Sequence, residues 1–125
     1  MAIISFDPDG IIEYMPAYGG NRDSEDPCVV GIRFVSYSKI QHYSRVISAK
    51  TKGVTDPSKI TEVTQGIQRK QFVENVENIV GYFVGSKEVT EPGEFYDTAD
   101  TDLVLEIIQA MESVVKLTEG QVKNL

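Results

Sequence analysis

The stretch Cys28-Val29-Val30-Gly31-Ile32-Arg33-Phe34-Val35-Ser36-Tyr37 runs directly into Ser38-Lys39-Ile40-Gln41-His42-Tyr43, and the spacing of its apolar residues changes partway. Val30, Ile32 and Phe34 share one face and Arg33, Val35 and Tyr37 the other, the alternation of a strand over 28–36. Beyond Ser38, the residues Ile40, Tyr43 and Ile47 recur at helical spacing while His42, Arg45 and Lys52 turn away. Ser38 is placed to cap a helix over 38–52, and Gly53 to end it.

Upstream, residues 2–6 and 11–15 are short β-favouring runs separated by Asp7-Pro8-Asp9-Gly10, where Pro presets a turn and Gly tolerates positive φ. They read as a hairpin that the 28–36 strand extends into a small antiparallel sheet. Between them, Ala17-Tyr18-Gly19-Gly20-Asn21-Arg22-Asp23-Ser24-Glu25-Asp26-Pro27 is too rich in Gly and polar residues for any regular element and reads as a surface loop. Downstream, Asp56-Pro57 opens a second helix over 57–78, with Asp as N-cap and Pro at the first helical position. Its apolar stripe starts with Ile60, Val63 and Ile67 and resumes rotated at Phe72, Val73 and Val76, so a kink near Gly66–Gln71 is expected. Residues 81–96, with Gly81, Gly85, Pro92 and Gly93, read as an irregular connection with a short strand near 80–84. Asp97 is expected to cap a last helix over 98–116, whose first turn holds Asp100 and Asp102 where acids favour the helix dipole.

The expected fold is therefore α+β: a small antiparallel sheet packed against about three helices, in one domain spanning 1–125. Residues 1–37 are mainly β, 38–117 mainly α, and 118–125 form a flexible tail. A chain of 125 residues, 41% of them hydrophobic, supports one core rather than two. No apolar run approaches the roughly 18 residues of a membrane span, and the start of the chain lacks the basic and apolar regions of a signal peptide. One cysteine, Cys28, allows no internal disulfide, in keeping with a reducing cytoplasm.

The net charge of −7 argues against nucleic-acid binding, which needs concentrated Lys and Arg. The charge is also uneven: residues 72–112 hold ten acids and only Lys87 as a base, whereas 38–53 hold four bases and no acid. Such polarity bears on association and solubility rather than on fold.

No set of residues makes a persuasive reactive centre. Cys28 and His42 are one thiol and one imidazole, without a local signature for an orienting group or an oxyanion site. Asp7, Asp9, Gly10 and Glu13 resemble a fragment of a calcium loop but lack its later ligands, and a hairpin turn accounts for them equally. Glu74, Glu77, Asp97, Asp100 and Asp102 have no His at helical spacing and read as solvated helix faces and caps. Gly19-Gly20-Asn21-Arg22 lacks the Lys-Ser/Thr ending of a phosphate loop. No catalytic residue, metal or cofactor is expected.

The last helix carries the one candidate binding surface. Leu103, Ile107, Ala110 and Val114 cluster in one direction and Val104, Ile108, Met111 and Val115 about a quarter turn away, a wider arc than one packing contact requires. The second set, Val104, Ile108, Met111 and Val115, is the expected protein-binding face, unless the helix buries both faces in its own domain.

Four stretches carry a family likeness: Gly20-Asn21-Arg22 followed by acids and Pro27; Val29-Val30-Gly31-Ile32-Arg33-Phe34 through Tyr43; Phe72-Val73-Glu74-Asn75-Val76 through Gly85-Ser86-Lys87-Glu88-Val89; and Leu117-Thr118-Glu119-Gly120-Gln121-Val122-Lys123-Asn124-Leu125. Through them the chain resembles the tail assembly chaperones of long-tailed, siphovirus-like bacteriophages and prophages. The resemblance implies a non-catalytic protein of the host bacterial cytoplasm that binds the tape measure protein, helps recruit tail tube subunits and is absent from the mature virion. It leaves self-association open. The rival classes are a structural head–tail or tail-completion subunit and a small enzyme or metal-binding module built on Cys28 and His42 or on the early aspartates.

Overall fold

The computed structural model describes residues 10–114. Strands β1 (Ile11–Tyr14), β2 (Val29–Arg33) and β3 (Val76–Val80) form an antiparallel sheet in that order, and β4 (Phe83–Val84) pairs with β5 (Lys87–Glu88) in a separate hairpin. The helices are α1 (Tyr37–Thr51), α2 (Pro57–Asn75), α3 (Pro92–Thr98) and α4 (Thr101–Val114), with a 3-10 turn at Tyr18–Asp23 between β1 and β2. This is the small α+β architecture expected. The strand expected at 2–6, and with it the first half of the hairpin, lies outside the described residues, as does the tail at 118–125.

The boundaries shift where a different residue does the capping. Ser36, not Ser38, caps α1: its hydroxyl accepts the amide of Lys39 at 3.1 Å. Asp56 caps α2 as expected, accepting the amide of Ser58 at 3.0 Å. Asp97 caps nothing, because it lies inside α3; α4 starts after Asp100, whose carboxylate accepts the amide of Asp102 at 2.9 Å. The expected helix at 98–116 is thus the end of α3, a break at Ala99-Asp100, and α4. The connection expected to be irregular holds a hairpin and α3, which opens with Pro92 in its first turn as α2 opens with Pro57.

The helix expected to reach residue 78 stops at Asn75, and β3 takes its place. Val76 and Ile79 are three residues apart, a spacing that mimics a helix face. In a regular strand they would point to opposite faces. The register instead slips between Gly31 and Ile32, pairing Gly31 with Asn78 but Ile32 with Val76, and this irregularity turns both Val76 and Ile79 into the core. Gly31 makes room for it, since a Cβ there would sit 2.5 Å from the Asn78 side-chain oxygen.

The expected kink near Gly66–Gln71 is absent, because α2 runs unbroken with Ile67, Gln71, Phe72 and Asn75 buried. Two polar side chains, Gln71 and Asn75, continue the inward stripe that apolar counting had found interrupted. The core collects Val30 and Ile32 of β2, Phe72 of α2, Phe95 of α3 and the inward residues of α4. Phe72 and Phe95 stack with centroids 5.6 Å apart, and Tyr82 tilts against Phe95 at 4.4 Å, fixing α3 between α2 and the β4–β5 hairpin.

Candidate functional site

The first half of α2 buries no residue before Ile67 and lines a cleft together with the end of α3 and the start of α4. Two contacts set its shape. Arg69 donates to both carboxylate oxygens of Asp97 at 3.0 Å each, and the Tyr96 hydroxyl donates to the Gln65 carbonyl at 3.3 Å. The first is a bidentate pair, whose planar geometry fixes orientation as well as distance. The hydrogen bonds from Arg69 hold the Asp97 carboxyl below its ordinary pKa.

The result is an open groove of about 620 Å³. Ile60, Thr61, Thr64, Gln65 and Gln68 of α2 form one wall; Tyr96, Asp97 and Ala99 close one end; Thr101, Val104 and Leu105 of α4 form the other wall. Ile60 and Leu105 remain 37% and 39% exposed. The wall carries one ionised group, Asp97, already paired with Arg69. A cleft lined by aliphatic side chains and neutral hydrogen-bonding groups suits an apolar segment of another chain better than an ion.

The face expected to bind protein is corrected by burial. Val104, Ile108 and Met111 lie in the core at 7%, 4% and 0% exposure, and Leu103 and Ile107 of the other arc are buried with them. The helix is seated deeply enough to bury both arcs, so the wide arc measures depth of packing, not a second surface. Val115 lies outside the described residues. Only Val104 also reaches the groove, and the outward residue beside it is Leu105.

The other sequence candidates serve structural ends. Cys28 is half-buried, its thiol pKa pushed up by burial, and its backbone is gripped by the Asn21 side chain, which accepts its amide at 2.7 Å and donates to its carbonyl at 2.9 Å. His42 lies on the exposed side of α1, with no hydrogen bond or ring contact to Cys28. Gly19 and Gly20 adopt positive φ in a turn that Asn21 and Arg22 tie back to Pro16 and Met15. Asp7 and Asp9 lie outside the described residues, and Glu13 stands exposed on β1. Glu77 pairs with Arg33, and Glu74 accepts the Tyr43 hydroxyl at 2.7 Å with Lys39 and Lys70 each 3.8 Å away. Among the described residues, no group of three His, Cys, Asp or Glu side chains is placed to hold a metal, and no helix is long and apolar enough to cross a membrane.

One anchoring residue had no counterpart in the sequence reading. Glu106 of α4 accepts the Tyr14 hydroxyl at 2.6 Å and the amides of Ala17 and Tyr18 at 2.7 and 3.0 Å. It pins the start of the 3-10 turn to α4. Burial, followed by this hydrogen bond, pushes the Tyr14 phenol up to about 12. Groove residues Ile60 and Leu105 were likewise unmarked as binding residues; Leu105 stands outside the inward stripe of α4, a signal that finds it, whereas Ile60 was counted within the stripe of α2.

Comparison with known proteins adds no identity: no family model, no curated protein and no solved structure matches the chain.

Proposed function

We propose that this chain is a non-catalytic tail assembly chaperone of a long-tailed bacteriophage or prophage, which binds the tape measure protein and helps recruit tail tube subunits. On this reading it acts in the host bacterial cytoplasm and is left out of the finished virion. The resemblance of the four sequence stretches supports the choice of family. The observation that supports a binding role is the α2–α4 groove, which Ile60 and Leu105 line while 37% and 39% exposed. Isolated surface aliphatics are ordinary, but two that line one cleft whose single ionised group, Asp97, is already paired offer a partner apolar area to bury.

The test is co-expression with a tape measure protein of the same phage or prophage. The expected result is a soluble complex with the wild-type chain and loss of the complex with Leu105→Glu, together with absence of the chain from purified particles by mass spectrometry. Stoichiometric presence in particles would instead identify a structural head–tail or tail-completion subunit.

A further inference from the structure

We infer that α1 is a conditional helix: it melts and re-forms as one unit while the rest of the domain stays folded, and the Asn75 cluster is its latch.

Taken alone, α1 is a weak helix. Its 15 residues are about the length at which an isolated helix is marginal in water even when rich in alanine. α1 has one alanine, Ala49, set among Ser38, Ser44 and Ser48, the β-branched Ile40, Val46, Ile47 and Thr51, and the aromatic Tyr37 and Tyr43. The branched and aromatic side chains lose χ1 freedom in a helix, and the serines compete for its backbone groups. The helix contains no acid, so no carboxylate meets the dipole in its first turn and none of its bases has an i,i+4 partner within it. Local support comes from the Ser36 cap and from Lys50 in the last turn. Off its seat, this segment does not stay helical.

The seat itself is peripheral. The buried core cluster draws on β2, α2, β3, α3 and α4, and α1 reaches only its margin, through the half-buried Ile40. Tyr43 is buried and Val46 and Ile47 are half-buried. The contacts that fix the position of α1 are polar. The Lys39 ammonium donates to the Asn75 side-chain oxygen at 3.0 Å, the Asn75 amide to the Tyr43 hydroxyl at 3.1 Å, and that hydroxyl to Glu74 at 2.7 Å. Each is modest once the water bonds it replaces are counted. Melting α1 therefore leaves Val30, Ile32, Phe72, Phe95 and the inward residues of α4 packed together.

The chain on either side is built to stay in place. Before α1, Val35 is fully buried in the core; after it, Asp56 caps α2 and Pro57 opens it. In between, Lys52 is extended and Gly53 holds a φ of 76°, which breaks the continuity between the two helices. The melted state is thus a loop tethered at both ends, and residues 38–53 within it carry four bases and no acid on a chain of net charge −7. The two states exchange a seated helix for a mobile cationic loop.

Native-state hydrogen exchange by NMR on the full-length chain, in rising sub-denaturing urea, tests this. Amides from Gln41 to Lys50 should exchange through one shared opening, about a hundredfold or more frequent than the opening that frees Leu105 to Met111, and less sensitive to urea because it exposes less surface. Ile107→Val, a mild change in the core, should accelerate exchange in α4 about fivefold and leave α1 unchanged, because the core stays packed when α1 opens. Ser44→Ala with Ser48→Ala, both at exposed positions, should slow exchange across α1 about fivefold by raising helix propensity without touching the latch. Equal acceleration of α1 and α4 by Ile107→Val would overturn the inference, since α1 would then melt only with the whole domain. So would exchange in α1 that the two alanines leave unchanged, since the opening would not depend on helix propensity.

Discussion

Helices α1 and α4 are of similar length yet are held by different forces. α4 buries Leu103, Val104, Ile107, Ile108 and Met111, whereas α1 buries only Tyr43. What fixes α1 is a polar cluster. Asn75, 1% exposed, donates to the Tyr43 hydroxyl at 3.1 Å and to the Gln71 carbonyl at 2.7 Å, and accepts from the Lys39 ammonium at 3.0 Å. Tyr43 in turn donates to Glu74. Apolar contact is strong but non-directional, so α4 supplies stability; hydrogen bonds are modest in net strength but demand geometry, so the Asn75 cluster supplies register.

The contrast breaks most visibly in α4. Ile108→Asp should cost more than about 4 kcal/mol, enough to unfold a domain of this size, because it places a charge in an apolar core. Loss of the cooperative thermal transition is the readout. At the seat of α1, Asn75→Ala at the end of α2 should cost about 1 to 3 kcal/mol through the partners it leaves unpaired. Its signature is local: hydrogen exchange should accelerate across Tyr37–Thr51 while Thr101–Val114 stays protected. Equal loss in both helices would mean that the two regions share one cooperative unit. Glu106→Ala should cost about 1 kcal/mol, since the amides it frees are exposed and water replaces part of what is lost; faster exchange at Ala17 and Tyr18 would report it.

Alkaline titration sharpens the same comparison. The phenols of Tyr14 and Tyr43 are both pushed up to about 12, chiefly by burial and then by the hydrogen bonds to Glu106 and Glu74. Each holds its proton more tightly in the folded chain, so its contribution is intact below pH 10 and is lost as the pH rises towards 12. Denaturant midpoints should fall across that window for the wild type and fall less for Tyr14→Phe with Tyr43→Phe. The smallest expected effect is that of Leu105→Glu on stability, within about 0.5 kcal/mol for an exposed position.

Much of the fold was legible locally. The alternation of Val30 and Ile32, the Asp56-Pro57 start and the acids at the head of α4 are short-range signals with direct physical causes. The alternation fails past Arg33, where β2 ends, since Val35, read on the outer face, is buried in the core and Phe34, read as inward, is only partly buried. The misreadings came from signals that tertiary structure reinterprets. Val76 and Ile79 carry helical spacing but share a strand face because of the irregularity opposite Gly31 and Ile32. Gln71 and Asn75 belong to the buried stripe of α2, yet polar residues do not declare themselves as core until their partners arrive from α1 and α4. Glu106 acts on an amide 89 residues earlier, a relation without any local trace. Of the expected binding face, Val104, Ile108 and Met111 turned inward because the helix sits deep enough to bury both apolar arcs, and the outward Leu105 was passed over.

That reversal gives the most direct test. Ile108→Asp and Leu105→Glu should be compared side by side, each by thermal melt and by capture of the co-expressed tape measure protein. The expected result is a split: Ile108→Asp fails to fold, while Leu105→Glu melts like the wild type and captures nothing. A folded, binding-deficient Ile108→Asp beside a fully binding Leu105→Glu would contradict it, placing the binding surface on the face that this structure assigns to the core.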